Sequence, residues 1–214
     1  MARFGIRPPQ AYGVSTPAIR AIAKEIRRDQ VLASVLWQTG VLEARILATM
    51  VADPERISEK EIETWVTDFD CWAVCDSACL ALIWKTPFAW RKVAEWSTRE
   101  REYERRAAFA LIAVLAVHDK RATAKQFRAA LRLVKKAATD ERNFVKKAVN
   151  WALRQIGKRD AESYAAAIEV AAELAASKSR SERWIGSDAL RELNAKGVPK
   201  ARRPTNLQSR RRLS

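Results

Sequence analysis

The feature that most constrains this chain is an apolar period of three to four residues, running almost unbroken from residue 16 to residue 195. Such spacing lays a hydrophobic stripe along one side of an α-helix, whereas a half-buried strand needs strict alternation. Cut at its polar and proline-containing breaks, the pattern predicts helices near 16–28, 30–39, 41–53, 58–68, 71–84, 87–97, 100–118, 123–138, 142–157, 160–176 and 180–195, and no convincing strand. Thr16-Pro17 opens the run, with threonine as the cap and proline in the first turn; Asp53-Pro54, Thr86-Pro87 and Gly157 punctuate it. Six glycines in 214 residues are too few for a hairpin-rich β architecture. The first fourteen residues, with Pro8-Pro9 and Gly13, read as loop.

A weak internal repeat organises these helices. Glu43-Ala-Arg-Ile-Leu-Ala, Arg105-Arg-Ala-Ala-Phe-Ala, Lys147-Ala-Val-Asn-Trp-Ala and Ser187-Asp-Ala-Leu-Arg each set polar or basic residues before an alanine-rich apolar turn. Arg45, Asp76, Arg106, Lys147 and Ser187 follow one another at 31, 30, 41 and 40 residues. That range suits antiparallel helix pairs stacked into an α-solenoid of the HEAT type, in which the second helix of each pair lines a concave surface. The expectation is an all-α fold, one domain over residues 1–195, with the repeated positions facing a common basic groove. A compact irregular bundle is the alternative that the loose spacing leaves open.

Charge is distributed unevenly along the chain. Residues 1–119 hold 16 basic and 16 acidic side chains, whereas residues 120–159 hold 13 Lys and Arg against only Asp140 and Glu141. Residues 160–195 lean acidic, and residues 196–214 carry seven basic residues and no acid, for a net +15. A concentrated basic block followed by a basic tail is the electrostatic footprint of a polyanion binder, and the tail reads as a disordered, non-specific phosphate tether. A solvated helical face is the blander reading of the same block. No apolar run approaches the roughly 20 residues that span a bilayer, and no signal peptide is evident. A cytoplasmic, nucleoid-associated protein acting on DNA as a monomer, without a membrane partner, is the expectation.

The three cysteines, Cys71, Cys75 and Cys79, recur every four residues and share one helix face. Three thiolates could hold zinc or an iron–sulfur cluster, but the fourth ligand is missing and the sole histidine, His118, is remote in sequence. Cysteine also packs as a small buried hydrophobe, so the stripe reads as core, with no metal and no cofactor expected.

Trp72 and Asp76, four apart, share a different face of that helix, about 100° from the cysteine stripe. Trp151 lies inside the basic block, with Lys147 and Arg154 on neighbouring turns. Most of the eight tryptophans, Trp37, Trp65, Trp84, Trp90 and Trp96 among them, read as packing residues between helices. Trp72 and Trp151 differ in their company, an acid for one and cations for the other.

Three stretches resemble the AlkD family of DNA alkylation-repair glycosylases: Tyr12-Gly-Val-Ser-Thr-Pro-Ala-Ile-Arg20, the Trp72-x-x-x-Asp76 helix, and Phe144-Val-Lys-Lys-Ala-Val-Asn-Trp-Ala-Leu-Arg154. An Arg105-Arg106-x-Ala segment fits between them, and the resemblance spans roughly residues 4–160. It implies a HEAT-like solenoid that hydrolytically removes cationic N3- or N7-alkylated purines from duplex DNA without flipping the base into a pocket. It also implies Asp76, Trp72 and Trp151 as catalytic residues, with Arg106 and Arg154 on the DNA backbone and Arg105 competing with Arg106 for that alignment. Lys147 and Arg45, from the repeat, complete the expected DNA-binding set. Cys71 stands where some relatives carry another tryptophan, and Ala73 where the better-known motif has an acid. The alternative function is a non-catalytic HEAT-like protein that recognises damaged or branched DNA.

Overall fold

The computed structural model describes residue 6 and residues 10–195, so the basic tail at 196–214 lies outside the described residues. Within them the chain forms eleven α-helices and no strand: α1 (Thr16–Ile26), α2 (Gln30–Gln38), α3 (Leu42–Val51), α4 (Glu59–Thr67), α5 (Trp72–Ala81), α6 (Ala89–Trp96), α7 (Glu102–His118), α8 (Ala124–Ala137), α9 (Asn143–Gly157), α10 (Ala161–Ala175) and α11 (Arg180–Leu193). None is long and apolar enough to cross a membrane.

Local chemistry explains most helix boundaries, with two shifts from expectation. Ser15, rather than Thr16, caps α1, its Oγ accepting from the Ala18 amide at 3.4 Å; Thr16 and Pro17 follow inside the first turn. The single helix expected over 71–84 ends at Ala81, and a 3-10 turn (Ile83–Lys85) follows a break at Leu82. Capping boxes start α4 at Ser58/Glu61 and α8 at Thr123/Gln126, as those sequences dictate.

The helices form a HEAT-like solenoid of pairs. The odd-numbered helices α3, α5, α7, α9 and α11 pack in succession, with α1 against α3, while α8 and α10 pack on the other layer. The residues of α7 from Ala107 to Ala116 are buried on every side, which makes that alanine-rich helix the axle of the stack. Its small side chains let α5, α6 and α9 approach closely.

Tryptophans tie the outer layer together. Trp37 of α2 stacks flat on Trp65 of α4, with ring centroids 4.1 Å apart, and its Nε1 donates to Asp68 at 2.9 Å. Trp96 of α6 is buried and donates to Glu63 of α4, and Trp90 of α6 meets Phe127 of α8 edge-on. Lys92, buried among Glu59, Glu63 and Glu95, is held firmly protonated: desolvation opposes its charge, but three carboxylates within 2.7 Å prevail.

Between neighbouring odd helices, side-chain links recur along the stack. Thr49 meets Ser77, Asp76 meets Arg106, Arg106 meets the Phe144 carbonyl, and Asn150 meets the Ile185 carbonyl. Each link joins residues 28 to 38 apart, and one of them, Asp76 to Arg106, joins two positions of the sequence repeat.

Candidate functional site

Helix α5 is set by its cysteines. Cys71, Cys75 and Cys79 are all buried; the Cys75 thiol donates to the Tyr103 carbonyl at 3.6 Å, and the Cys79 thiol to the Ala107 carbonyl at 3.5 Å, both on α7. Burial raises the Cys71 thiol to about 11 and pushes Cys75 well above its ordinary value. The Cys71 and Cys75 thiols therefore stay protonated, and all three buried cysteines act as packing groups. With that stripe sewn into α7, the adjoining Trp72/Asp76 face turns outward.

That face opens on a cavity of about 750 Å³ walled by α1, α3, α5, the 3-10 turn and α9. Trp72 and Asp76 line it from α5, and Trp151 closes it from α9, so all three residues singled out in the sequence border one space. Apolar side chains, Ile19, Leu42, Ile46 and Met50 among them, form the rest of the wall, with Arg20 and Lys85 as its cations. The Thr49 and Ser77 hydroxyls pair at 2.7 Å across the α3–α5 seam.

Glu43 lines the same cavity from α3. Its buried carboxylate accepts the backbone amides of Tyr12 at 3.0 Å and Gly13 at 2.7 Å, which pins the 12–14 loop against the mouth. Gly13 takes φ 78°, a left-handed conformation that costs a glycine little. Burial alone would raise the Glu43 carboxyl, but these backbone donors draw it below its ordinary value.

Asp76 is held from beneath. Arg106 Nε donates to one carboxylate oxygen at 2.9 Å and Nη2 to the other at 2.7 Å, while Nη1 reaches the Phe144 carbonyl of α9 at 2.6 Å. The Asp76 side chain keeps 22% exposure and Arg106 only 7%. Desolvation disfavours the guanidinium charge, yet the Asp76 carboxylate more than compensates and keeps Arg106 above its usual range. A carboxylate has about four lone-pair positions, so two bonds from below leave Asp76 able to accept from a group in the cavity.

The expected DNA-binding set is redistributed by this packing. Arg106, expected on the phosphate-facing side, is buried under Asp76, because that carboxylate and a backbone carbonyl satisfy it there. Arg105 binds Asp140 at 2.9 Å. Arg45 lies over Trp37, bonds the Trp37 and Asp68 carbonyls, and faces Asp68 and Asp70. Arg154 and Lys158 converge on Glu192 of α11. Lys147 is the member of the set that is exposed and without an ion pair among the described residues.

The basic block is also less naked than its sequence suggests. Arg128 and Lys135 on α8 pair with Glu162 and Glu173 on α10, so charges segregated along the chain interleave across the stack. Three residues escaped the sequence reading. Arg20 and Lys85 lie in the cavity wall, and Trp184 is partly exposed on α11. Trp184 carried a usable signal, because its turn, Arg180-Ser-Glu-Arg-Trp184, is otherwise polar.

Over residues 1–193 the sequence matches the model of a family described as DNA alkylation repair enzyme. No curated protein matches the chain. Among solved structures, one is described as belonging to a new family of proteins related to the HEAT-like repeat DNA glycosylases with affinity for branched DNA structures. It superposes with a TM-score of 0.72 at 21% identity, covering 95% of this chain and 90% of that one. This likeness agrees with the stacking of helix pairs described above.

Proposed function

The chain belongs to the DNA alkylation repair enzyme family, and from that premise we propose that it is a monofunctional glycosylase excising cationic N3- or N7-alkylated purines, such as 3-methyladenine and 7-methylguanine, from duplex DNA. The observation that carries this reading is the meeting of Asp76, Trp72 and Trp151 on one cavity, with Asp76 oriented by a buried arginine.

The chemistry fits that arrangement. An alkylated purine already bears a positive charge, so when the bond from C1′ to the purine nitrogen breaks, the bonding pair neutralises the departing base. The demand falls on the sugar, where positive charge develops at C1′. The Asp76 carboxylate stabilises that charge and accepts a hydrogen bond from the water that attacks C1′ and releases a proton. The indole faces of Trp72 and Trp151 add cation–π stabilisation, on the order of 0.5–2 kcal/mol each. As the family resemblance implies, the lesion is processed without being drawn into a deep pocket. Exposed cations such as Lys147 hold the phosphates and set the register of the duplex.

The test is direct base release. Purified protein is incubated with methylated duplex DNA, and free 3-methyladenine and 7-methylguanine are quantified against a no-protein control. Release by the wild-type chain, falling at least a hundredfold in Asp76→Asn, is the expected result. Release no greater than the control, or full activity in Asp76→Asn, overturns the mechanism. The alternative of a non-catalytic DNA-binding protein predicts tight, salt-sensitive binding with no base released.

A further inference from the structure

Trp184 is the most exposed of the eight tryptophans, at 40% exposure. Its helix is anchored mainly through Ile185, Gly186, Ala189 and Leu193, which are buried on the other side. Arg180 and Ser187, one turn to either side of Trp184, are exposed as well. An indole left on a polar, cationic stripe calls for a partner with its own flat face.

The position of that indole is fixed. Three contacts hold α11 parallel to α9: Ser181 donates to the Asp140 carbonyl, Asn150 donates to the Ile185 carbonyl, and Glu192 takes Arg154. Between the first two, the Lys146 ammonium sits 5.3 Å from the centre of the Trp184 ring. Lys147 beside it is exposed and, like Lys146, has no ion pair among the described residues. The nearby acids are turned elsewhere, Glu182 to the Ser177 hydroxyl and Asp188 to Arg191, leaving Glu141 as the unpaired acid closest in sequence.

We propose that Trp184 and Lys146 form a second DNA contact, a stacking platform for an unpaired base, at a distance from the excision cavity. The proposal rests on the reading of this chain as a DNA-repair protein. The charges suit a polyanion, and the exposed indole suits a base whose face is free. Inside a duplex both faces of a base are covered by its neighbours, so the platform selects an unpaired base on a strand whose phosphates Lys146 and Lys147 hold. The platform also lies on the same layer as the excision site. From α5 through α7 and α9 to α11 is three helix steps of 8–10 Å, which keeps Trp184 within roughly 30 Å of Asp76. That span falls within one turn of B-DNA, about 34 Å, so one molecule can meet intact duplex at Asp76 and an open strand at Trp184.

Fluorescence anisotropy on two labelled DNAs tests this: a blunt duplex, and the same duplex extended by a single-stranded arm. The wild-type chain is expected to prefer the armed DNA. Trp184→Ala should lose that preference by about tenfold while its affinity for the blunt duplex changes less than twofold. Trp184→Phe, which keeps a flat ring, should retain most of the preference, and far-ultraviolet circular dichroism should show both variants folded. Base release from methylated blunt duplex should be unchanged in both. Equal binding of the two DNAs by the wild-type chain, or an unaltered preference in Trp184→Ala, overturns the platform. Should the armed-DNA preference depend on Trp184 while no base is ever released, the platform stands and the glycosylase reading falls. If the wild-type chain binds neither DNA, both fall, and the patch is left for a protein partner.

Discussion

Arg106 grips both oxygens of the Asp76 carboxylate from below the cavity, at 2.9 and 2.7 Å, and reaches past it to the Phe144 carbonyl. One guanidinium on α7 thereby joins α5 to α9, the two helices that carry Asp76 and Trp151. The direction of the carboxylate is set by a fork that only arginine can make, with two parallel N–H donors to two oxygens. Arg106 thus directs its donors to Asp76 and a backbone carbonyl.

This relationship separates two roles by measurement. Arg106→Lys keeps the charge and loses the fork, so base release is expected to fall at least tenfold while affinity for undamaged duplex changes less than threefold. Arg106→Met removes the charge as well and leaves the Asp76 carboxylate without its buried partner, at a cost on the order of 3 kcal/mol in stability. Kinetics and anisotropy on the lysine variant decide the matter. A loss of DNA affinity in step with the loss of release would mean that Arg106 reaches the backbone after all.

The same pair shows what was legible in the sequence and what was not. Asp76 and Arg106 stand 30 residues apart, the repeat spacing visible in the chain itself. A periodicity of about that length says that two residues occupy matching places on adjacent rungs. It does not say whether they face outward together or face each other. Asp76 and Arg106 do the latter because opposite charges on neighbouring parallel helices meet across the seam. The Trp72/Asp76 face, by contrast, was readable from helix geometry alone, since the apolar cysteine stripe at 100° had to take the inside. The helices themselves were readable within a few residues for the same reason, with misses at Ser15, which takes the cap expected of Thr16, and at Leu82, where the chain breaks before the 3-10 turn. The ion pairs of the charge block were the least legible. Its partners, Glu162, Glu173 and Glu192, lie 34 to 38 residues downstream, beyond any local window.

The last helix pair depends on one missing methyl group. A Cβ built on Gly186 would lie 2.3 Å from the Ala175 amide nitrogen, 2.5 Å from the Ala171 carbonyl oxygen and 2.8 Å from the Leu174 carbonyl carbon. These are backbone atoms of α10 and cannot rotate aside, so α10 and α11 must part. Gly186→Ala is expected to cost about 3 kcal/mol and to lower the thermal midpoint by roughly 5–10 °C. Gly157→Ala is the control, because its nearest obstacles are the two Cδ atoms of Leu193, which a side-chain rotation can move. Thermal denaturation followed by circular dichroism ranks the two. A Gly186→Ala protein as stable as the wild type would show that the two helices are not in such close contact.

Acid should loosen the same end of the molecule through Asp140. Burial would raise its carboxyl, but hydrogen bonds from Arg142 and Arg105 outweigh that and bring it from 3.8 down to about 2. A folded-state value below the unfolded one means that the carboxylate stabilises the native chain fully above about pH 4. That contribution, about 2 kcal/mol for a side chain only 7% exposed, is lost as the pH falls through 2. Its carbonyl also receives the Ser181 hydroxyl, so loosening this loop frees the start of α11. Asp140→Asn should therefore be less stable than the wild type at pH 6, and the gap should narrow steadily from pH 4 to pH 2. Urea unfolding at each pH measures it, and a gap that stays constant across that range would mean that the two arginines do not hold Asp140 in its charged form.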